Sequence, residues 1–182
     1  MISPILVEHI SKLVRLSDEA FGNFYLNHHY FLTSITSNTD FGFVIQHENQ
    51  IVGYVLGSVA VPSEMKHHLL KGGESINTKF KGTTVIIKHL VIDRHHQHQG
   101  WGQQLIAHTY HQLKKDCQQF ICVCWKKGNV TPMAQLLLKN KFSLLHTINH
   151  YWKEDSVTKP FTCPICMGEC WCSAEIYIKK AA

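Results

Sequence analysis

Two clusters in this chain have the residue types and spacing for chemistry. The first, Gln97-His98-Gln99-Gly100-Trp101-Gly102, closes a short polar loop after the β-branched apolar run from Thr84 to Ile92. Apolar side chains then fall at 105, 106, 110 and 113, so strand, tight loop and amphipathic helix are expected in that order. Glycines let backbone approach a ligand closely. The first-turn N–H groups of a helix have no intrahelical partner and carry the positive end of its dipole. Such a junction receives an anion, a phosphate above all; the alternative is a glycine-containing turn into a surface helix that holds nothing.

The second cluster, Cys163-Pro164-Ile165-Cys166-Met167-Gly168-Glu169-Cys170-Trp171-Cys172, presents four thiols in C-x2-C-x3-C-x-C spacing. A Cys-x-x-Cys turn brings two sulfurs together and Gly168 lets the chain fold back, so Cys163, Cys166, Cys170 and Cys172 can converge on one tetrahedral ion. Zinc is the expected ion, because it takes four thiolates at structural sites, whereas an iron–sulfur cluster wants wider spacing for at least one ligand. The close Cys170-x-Cys172 pair leaves open a shell of three thiolates completed by histidine or water. Reduced thiols without a ligand and a redox Cys-x-x-Cys pair are the other readings. The stretch from Lys153 to Thr162 is polar and contains proline. A structural metal clip would therefore hold an excursion that has too few apolar residues to hold itself, and would fix where the last strand re-enters the sheet.

The glycine loop is neither a three-glycine dinucleotide fingerprint nor a P-loop. It resembles the Gln/Arg-x-x-Gly-x-Gly/Ala signature of the GNAT superfamily of acyl-CoA-dependent N-acyltransferases. The surrounding elements agree. Phe43–Ile45 and Ile51–Leu56 flank His47-Glu48-Asn49-Gln50 as a hairpin, and Phe120 to Trp125 reads as a strand followed by the turn Lys126-Lys127-Gly128-Asn129. Thr131-Pro132 reads as a helix cap, Met133 to Lys139 as its helix, Phe142 to His146 and Ile148 to Trp152 as strand, and Ala174 to Lys179 as a last strand. The implied fold is α/β (α+β): a mixed central sheet with flanking helices, in one domain over 1–182 with a Cys-rich insertion at 153–173.

The resemblance implies a cofactor site for CoA or acetyl-CoA. Leu90, Val91 and Ile92 would pair with the pantetheine arm, the amides of Gln97, His98, Gln99, Gly100, Trp101, Gly102 and Gln103 would hold the pyrophosphate, and Asn129 would lie beside it. Many members place an acid tyrosine on the later helix, where this chain has Leu137. His89 is the candidate base, by its ordinary pKa near neutrality, and Tyr151 the candidate acid; both have packing alternatives. Simple strand alternation puts Ile86, Lys88 and Leu90 on one face and Ile87, His89 and Val91 on the other. Phe24, Tyr25, His28, His29 and Tyr30 either approach the acceptor or pack a helix on the sheet.

A chain of 182 residues with a formal charge of +5 has one core and no dense basic run, so no nucleic-acid partner is expected. No stretch approaches the roughly 18 to 20 apolar residues of a membrane span and no signal segment is evident, so the expectation is a cytoplasmic protein with no membrane partner. The odd count of seven cysteines argues against a disulfide framework. Pro62 to Gly82 reads as a flexible insertion able to cover the acceptor. The function expected is N-acyl transfer, most simply of acetyl from acetyl-CoA to a primary amine of a small molecule or protein. The alternatives are a non-catalytic acyl-CoA-binding regulatory domain and a zinc-stabilised interaction module; a homodimer stays open.

Overall fold

A computed structural model of the chain describes residues 1–64, 82–159 and 161–181. In chain order the elements are β1 (Ile2–Pro4), α1 (Ile10–Phe21), α2 (His28–Thr36), β2 (Asp40–His47), β3 (Gln50–Ala60), β4 (Thr84–Ile92), α3 (Trp101–Leu113), β5 (Gln119–Lys126), α4 (Ala134–Lys139), β6 (Ser143–Ile148), α5 (Lys153–Thr158) and β7 (Ser173–Lys180). The strands form one seven-stranded sheet in the order β1-β2-β3-β4-β5-β7-β6. Only β4 and β5 run parallel; every other neighbouring pair is antiparallel. This is the mixed sheet with flanking helices expected from the sequence. The insertion expected at Pro62 to Gly82 falls mostly on 65–81, outside the described residues. Among the described residues no helix is long and apolar enough to cross a membrane.

The β2–β3 hairpin turns on Glu48 and Asn49, both at positive φ (48° and 60°), the twist that suits a two-residue connection. Some elements depart from expectation. A three-residue edge strand, β1, precedes the helices; it is too short to show alternation. Residues 149–152, expected as strand, turn instead, and the polar stretch after them starts with helix α5. Glu154 and Asp155 in its first turn and the Asp155–Lys159 pair at 2.9 Å favour that helix. Thr131 does not cap α4, which begins only at Ala134. Its hydroxyl donates to Glu175 Oε2 at 2.7 Å, as does the Tyr177 hydroxyl at 2.9 Å, while Lys126 donates to Oε1 at 3.0 Å. A buried carboxylate needs those donors more than a helix end, open to water, needs a cap.

The alternation expected along β4 fails at one residue. Leu56 pairs with His89 and Gly57 with Ile87, so Lys88 is an extra, unopposed residue. A bulge of this kind reverses the facing of everything beyond it. Val85 and Ile87 pack with Leu105, Ile106 and Leu137 under α3 and α4, and so do Leu90 and Ile92, three residues further on instead of two. His89 and Val91 face α1 and α2 on the opposite side, Val91 beside Ile10, Leu13 and Tyr54. The parallel pairing of β4 with β5 stops at Ile87–Cys122, while β5 goes on pairing with β7 as far as Lys126–Ser173. Beyond Ile87 the sheet is therefore open between its two central strands.

Gly57 sits opposite the start of this opening, and a Cβ there would strike the Ile86 carbonyl and the ring of Phe41. Gly57→Ala is expected to lower unfolding free energy by about 2 to 3 kcal/mol in a urea titration. A change below a few tenths would mean that the β3–β4 spacing is not fixed by that close approach.

Candidate active site

A cavity of about 880 Å³ occupies the opening between β4 and β5. It reaches both faces of the sheet. On the α3 side it is lined by Leu90, Ile92, Cys122, Cys124, Met133 and Leu136, and on the other by Phe21, Tyr25, His89, Trp125, Trp152 and Phe161. The register explains how strand backbone becomes available there. Asp93 N–H donates to Val52 O at 2.8 Å, so Val52–Asp93 is a hydrogen-bonded pair and, by alternation, Tyr54–Val91 and Leu56–His89 are too. The peptide groups of Leu90 and Ile92 then point away from β3, toward the opening. Ile92 O is taken by the Gln97 side-chain amide at 3.1 Å, which ties the glycine loop to the strand.

At the wide end of the opening the loop delivers the N-terminus of α3. Gly100 is its N-cap, at φ 85°, and Gln104 N–H to Gly100 O at 3.1 Å is the first intrahelical bond. The amides of Gly100, Trp101, Gly102 and Gln103 precede that bond, and all four residues line the cavity, as do Gln97 and His98. Gly102 lets the helix lie close, since a Cβ there would come within 3.2 Å of Leu136 Cδ2. His96, Lys127 and Lys139 add cationic or conditionally cationic groups to the lining. Two expected residues are elsewhere. The Gln99 side chain donates to His95 O (3.2 Å) and accepts from Trp101 Nε1 (3.3 Å), and Asn129 is exposed in the Lys127–Val130 turn; neither residue lines the cavity.

His89 lies in the narrow part, its Nε2 at 3.2 Å from the Tyr30 hydroxyl and its ring edge-on to Tyr25 and Tyr30 at 5.9 and 5.8 Å. Burial, with the Lys88 charge beside it, pushes the imidazole down to about 3, so it is neutral throughout the working range and not the near-neutral base expected of a free histidine. Both Lys88 and His89 line the cavity, Lys88 from the bulge and His89 from the α1–α2 side. Lys88 is held near Asp40 at 3.8 Å, and burial lowers its pKa. Tyr151 is not part of the lining. Its ring packs on Trp152 at 4.8 Å in the cluster beneath β6 and β7, because the chain turns at 149–152 where a strand would have carried it to the opening. Leu137, at the position of the family tyrosine, is wholly buried under the sheet.

Sequence reading missed most of the aromatic wall. Tyr25 was among five candidates; of the others, Phe24, His28 and His29 are exposed and Tyr30 reaches His89. Tyr25 Oη accepts from Trp152 Nε1 at 3.1 Å and its ring meets Phe161 at 5.0 Å. Burial raises the Tyr25 hydroxyl far above its ordinary range, so it stays protonated. No spacing signal links Phe21, Trp125, Trp152 and Phe161, which come from four separate segments.

The four cysteines of the second cluster have converged, with all their sulfurs within 4.8 Å of one another. Cys163–Cys172 and Cys166–Cys172 are 3.9 and 3.7 Å apart. A tetrahedron with metal–sulfur bonds of about 2.3 Å has edges of about 3.8 Å, so the sulfurs are already spaced for a thiolate-bound ion. Backbone N–H groups of Ile165 and Cys166 donate to Cys163 Sγ, and that of Trp171 to Cys166 Sγ at 3.4 Å. Cys163 and Cys170 also line the cavity, on its aromatic side.

Residues 10–135 match the Acetyltransferase (GNAT) family, and the chain belongs to that family. The family match makes it an acetyltransferase. No curated protein matches it. Among solved structures it is similar to Arabidopsis thaliana NAA60 in complex with a bisubstrate analogue, with a TM-score of 0.74 at 12% identity over 99% of this chain and 97% of that one. The same protein in complex with acetyl-CoA gives a TM-score of 0.73 at 13% identity over 99% and 97%. The ribosomal-protein-alanine N-acetyltransferase of Brucella melitensis gives 0.68 at 15% identity over 99% of both chains. At these identities the likeness is one of fold.

The neutral state of His89 has a consequence for stability. Its folded pKa lies below the unfolded one, so on acidification only the unfolded chain gains the proton; the contribution is complete above about pH 6.5 and is lost as pH falls toward 3. Between pH 7 and pH 5 the wild type should lose about 2 kcal/mol more than His89→Gln in matched urea titrations. Equal losses would show that the imidazole titrates normally.

Proposed function

We propose that this enzyme binds acetyl-CoA across the opening between β4 and β5 and acetylates a primary amine that enters from the α1–α2 side. The observation that carries the reading is the loss of β4–β5 pairing beyond Ile87–Cys122, with a helix N-terminus facing the same cavity. The amides of residues 100–103 would hold the pyrophosphate, with Gln97 fixing the loop and His98 at its edge. The outward peptide groups of Leu90 and Ile92 would pair with the pantetheine arm as an added strand does, and Val91 anchors that strand through its side chain. The whole chain is read as one acyltransferase unit with residues 153–173 as its insertion.

Acetyl-CoA supplies the acyl group as a thioester. This chain's residues orient the two reactants and handle protons. The amine must be neutral to attack, and an imidazole with its pKa near 3 does not take up the amine's proton, so His89 stays uncharged and fixes Tyr30 through Nε2 while that proton passes to water. Tyr25 keeps its own proton and already has the Trp152 N–H on its oxygen, which leaves the hydroxyl able to donate toward a departing thiolate. It takes the part that Leu137 cannot. The non-catalytic alternative rested on Leu137, but that side chain lies in the core and its identity removes nothing from the cavity.

For the four cysteines the reading is a structural zinc ion bound by Cys163, Cys166, Cys170 and Cys172, supported by the tetrahedral sulfur spacing. Phe161 and the three most buried of these cysteines form a small core of their own that the metal would complete.

Calorimetry with millimolar CoA should give binding heat and a raised melting temperature, and Gly100→Val should remove both, because a β-branched residue at φ 85° is strained and its side chain would crowd the anion. Binding that survives in Gly100→Val would move the donor site elsewhere. Tyr25→Phe should lower kcat by about a hundredfold with CoA affinity kept, read with a panel of alkylamines and peptides; an unchanged kcat would remove the acid role. Elemental analysis of reduced protein should find a single zinc per chain, and Cys166→Ser should lower thermal stability and raise hydrogen exchange in β7. No metal after zinc supplementation would refute the site.

A further inference from the structure

The cavity has two halves of different character. Its charged lining is mainly cationic: Lys139 closes α4 on the α3 side, Lys127 Nζ stands 4.4 Å from the Trp125 ring centroid, and Lys88 lies beside His89. The acceptor half is built from aromatic rings, and among the described residues that line the cavity Glu19 is the sole carboxylate, exposed on α1. Other carboxylates around that half are already engaged. Asp40 faces Lys88 at 3.8 Å, Asp155 pairs with Lys159 at 2.9 Å, and Asp18 Oδ1 accepts from Phe24 N–H at 3.1 Å. An amine acceptor is a cation at neutral pH, and ordinary side chains offer it little negative charge here.

The cysteine cluster changes that balance. A divalent ion with four thiolates carries a net charge of minus two, and Cys163 and Cys170 are both part of the cavity lining, next to Phe161 and Tyr25. The remaining two sulfurs accept hydrogen bonds. Trp125 donates its indole N–H to Cys172 and Trp171 N–H donates to Cys166, so the sulfurs are held by donors as bound thiolates are. An anion set in an aromatic wall, where water is scarce, acts over a longer range than one in solvent.

We propose that the metal tetrathiolate is the acceptor-recognition element of this enzyme: its negative charge, presented through Cys163 and Cys170, draws in and orients the alkylammonium form of the acceptor beside the Tyr25–Phe161 wall. The proposal rests on both the zinc and the acetyltransferase readings. It assigns the cluster a part in substrate binding as well as in holding the insertion. The same field that concentrates the cation also makes its proton harder to remove, so the cluster acts on KM and not by lowering the barrier to attack. The acceptor class that follows is a primary amine next to an apolar or aromatic group and without a carboxylate of its own near the amine.

The test uses the full chain with cobalt in place of zinc, because thiolate-bound cobalt has visible bands that report on its sulfurs. Titration with n-butylammonium should perturb those bands, and n-butanol, of the same shape without charge, should not. A Cys166→His variant keeps a metal ligand at a position outside the cavity lining but removes one unit of negative charge. In it the apparent affinity for butylammonium should fall about tenfold, and KM for alkylamines should rise while KM for hydroxylamine, uncharged at pH 8, does not. Bands indifferent to butylammonium, or equally sensitive to butanol, would overturn the proposal even if the variant fails to fold. A protein that takes up neither zinc nor cobalt refutes the metal reading instead. One that binds metal but cleaves no acetyl-CoA with any amine refutes the transferase reading.

Discussion

A single unopposed residue in β4 governs this structure. With Lys88 bulged out of register, β4 cannot both keep its pairing with β3 and stay in register with β5, and the parallel ladder ends at Ile87–Cys122. Strand backbone exposed within a sheet is normally costly, because its polar groups lose their partners. Here the exposed edge borders a cavity of about 880 Å³ instead of packed core, so water or a ligand with amide groups can satisfy it. The bulge also turns His89 to one side of the sheet and Leu90 to the other, which is why the cavity has two chemically different halves.

Each half follows from what surrounds it. On the α3 side, Gly102 lets the helix approach β4 so closely that a Cβ there would lie 3.2 Å from Leu136 and within 3.8 Å of Leu90 and Ile92, and the unpaired amides of the first turn are thereby brought to the mouth of the opening. On the opposite side, α1 and α2 bring Phe21, Tyr25 and Tyr30 around His89, and the rings exclude the water that would otherwise let the imidazole charge. Burial thus keeps His89 uncharged and the flanking Tyr25 and Tyr30 hydroxyls protonated.

The far end of the chain completes that second half. Strand β7 enters the sheet between β5 and β6, so the segment before it has to cross the open edge of the cavity. Glu175, held by Lys126, Thr131 and Tyr177, fastens β7 to the β5–α4 connection, while Trp152 and Phe161 reach back to Tyr25. The proposed metal would lock the crossing segment in place. Residues more than a hundred positions apart in sequence thus form one wall, and a change at the cysteines is expected to be felt at α1.

What the sequence determined by itself was whatever depends on neighbours along the chain. The strand–loop–helix of 84–113, the hairpin around Glu48 and Asn49, and the C-x2-C-x3-C-x-C cluster rest on local periodicity, turn chemistry and ligand spacing, and all are found where those signals put them. The cap assigned to Thr131 went astray because a distant partner, buried Glu175, takes its hydroxyl, and β1 exists only through the β2 edge it pairs with; α5 rests on local signals, its acidic first turn and the Asp155–Lys159 pair. Only the tertiary structure decided the candidate site. The bulge at Lys88 depends on register with β3, which no single strand encodes, and it sets His89 against Tyr30; the turn at 149–152 keeps Tyr151 out of the cavity lining, and the segment before β7 brings Trp152 and Phe161 to Tyr25 beside two of the four cysteines.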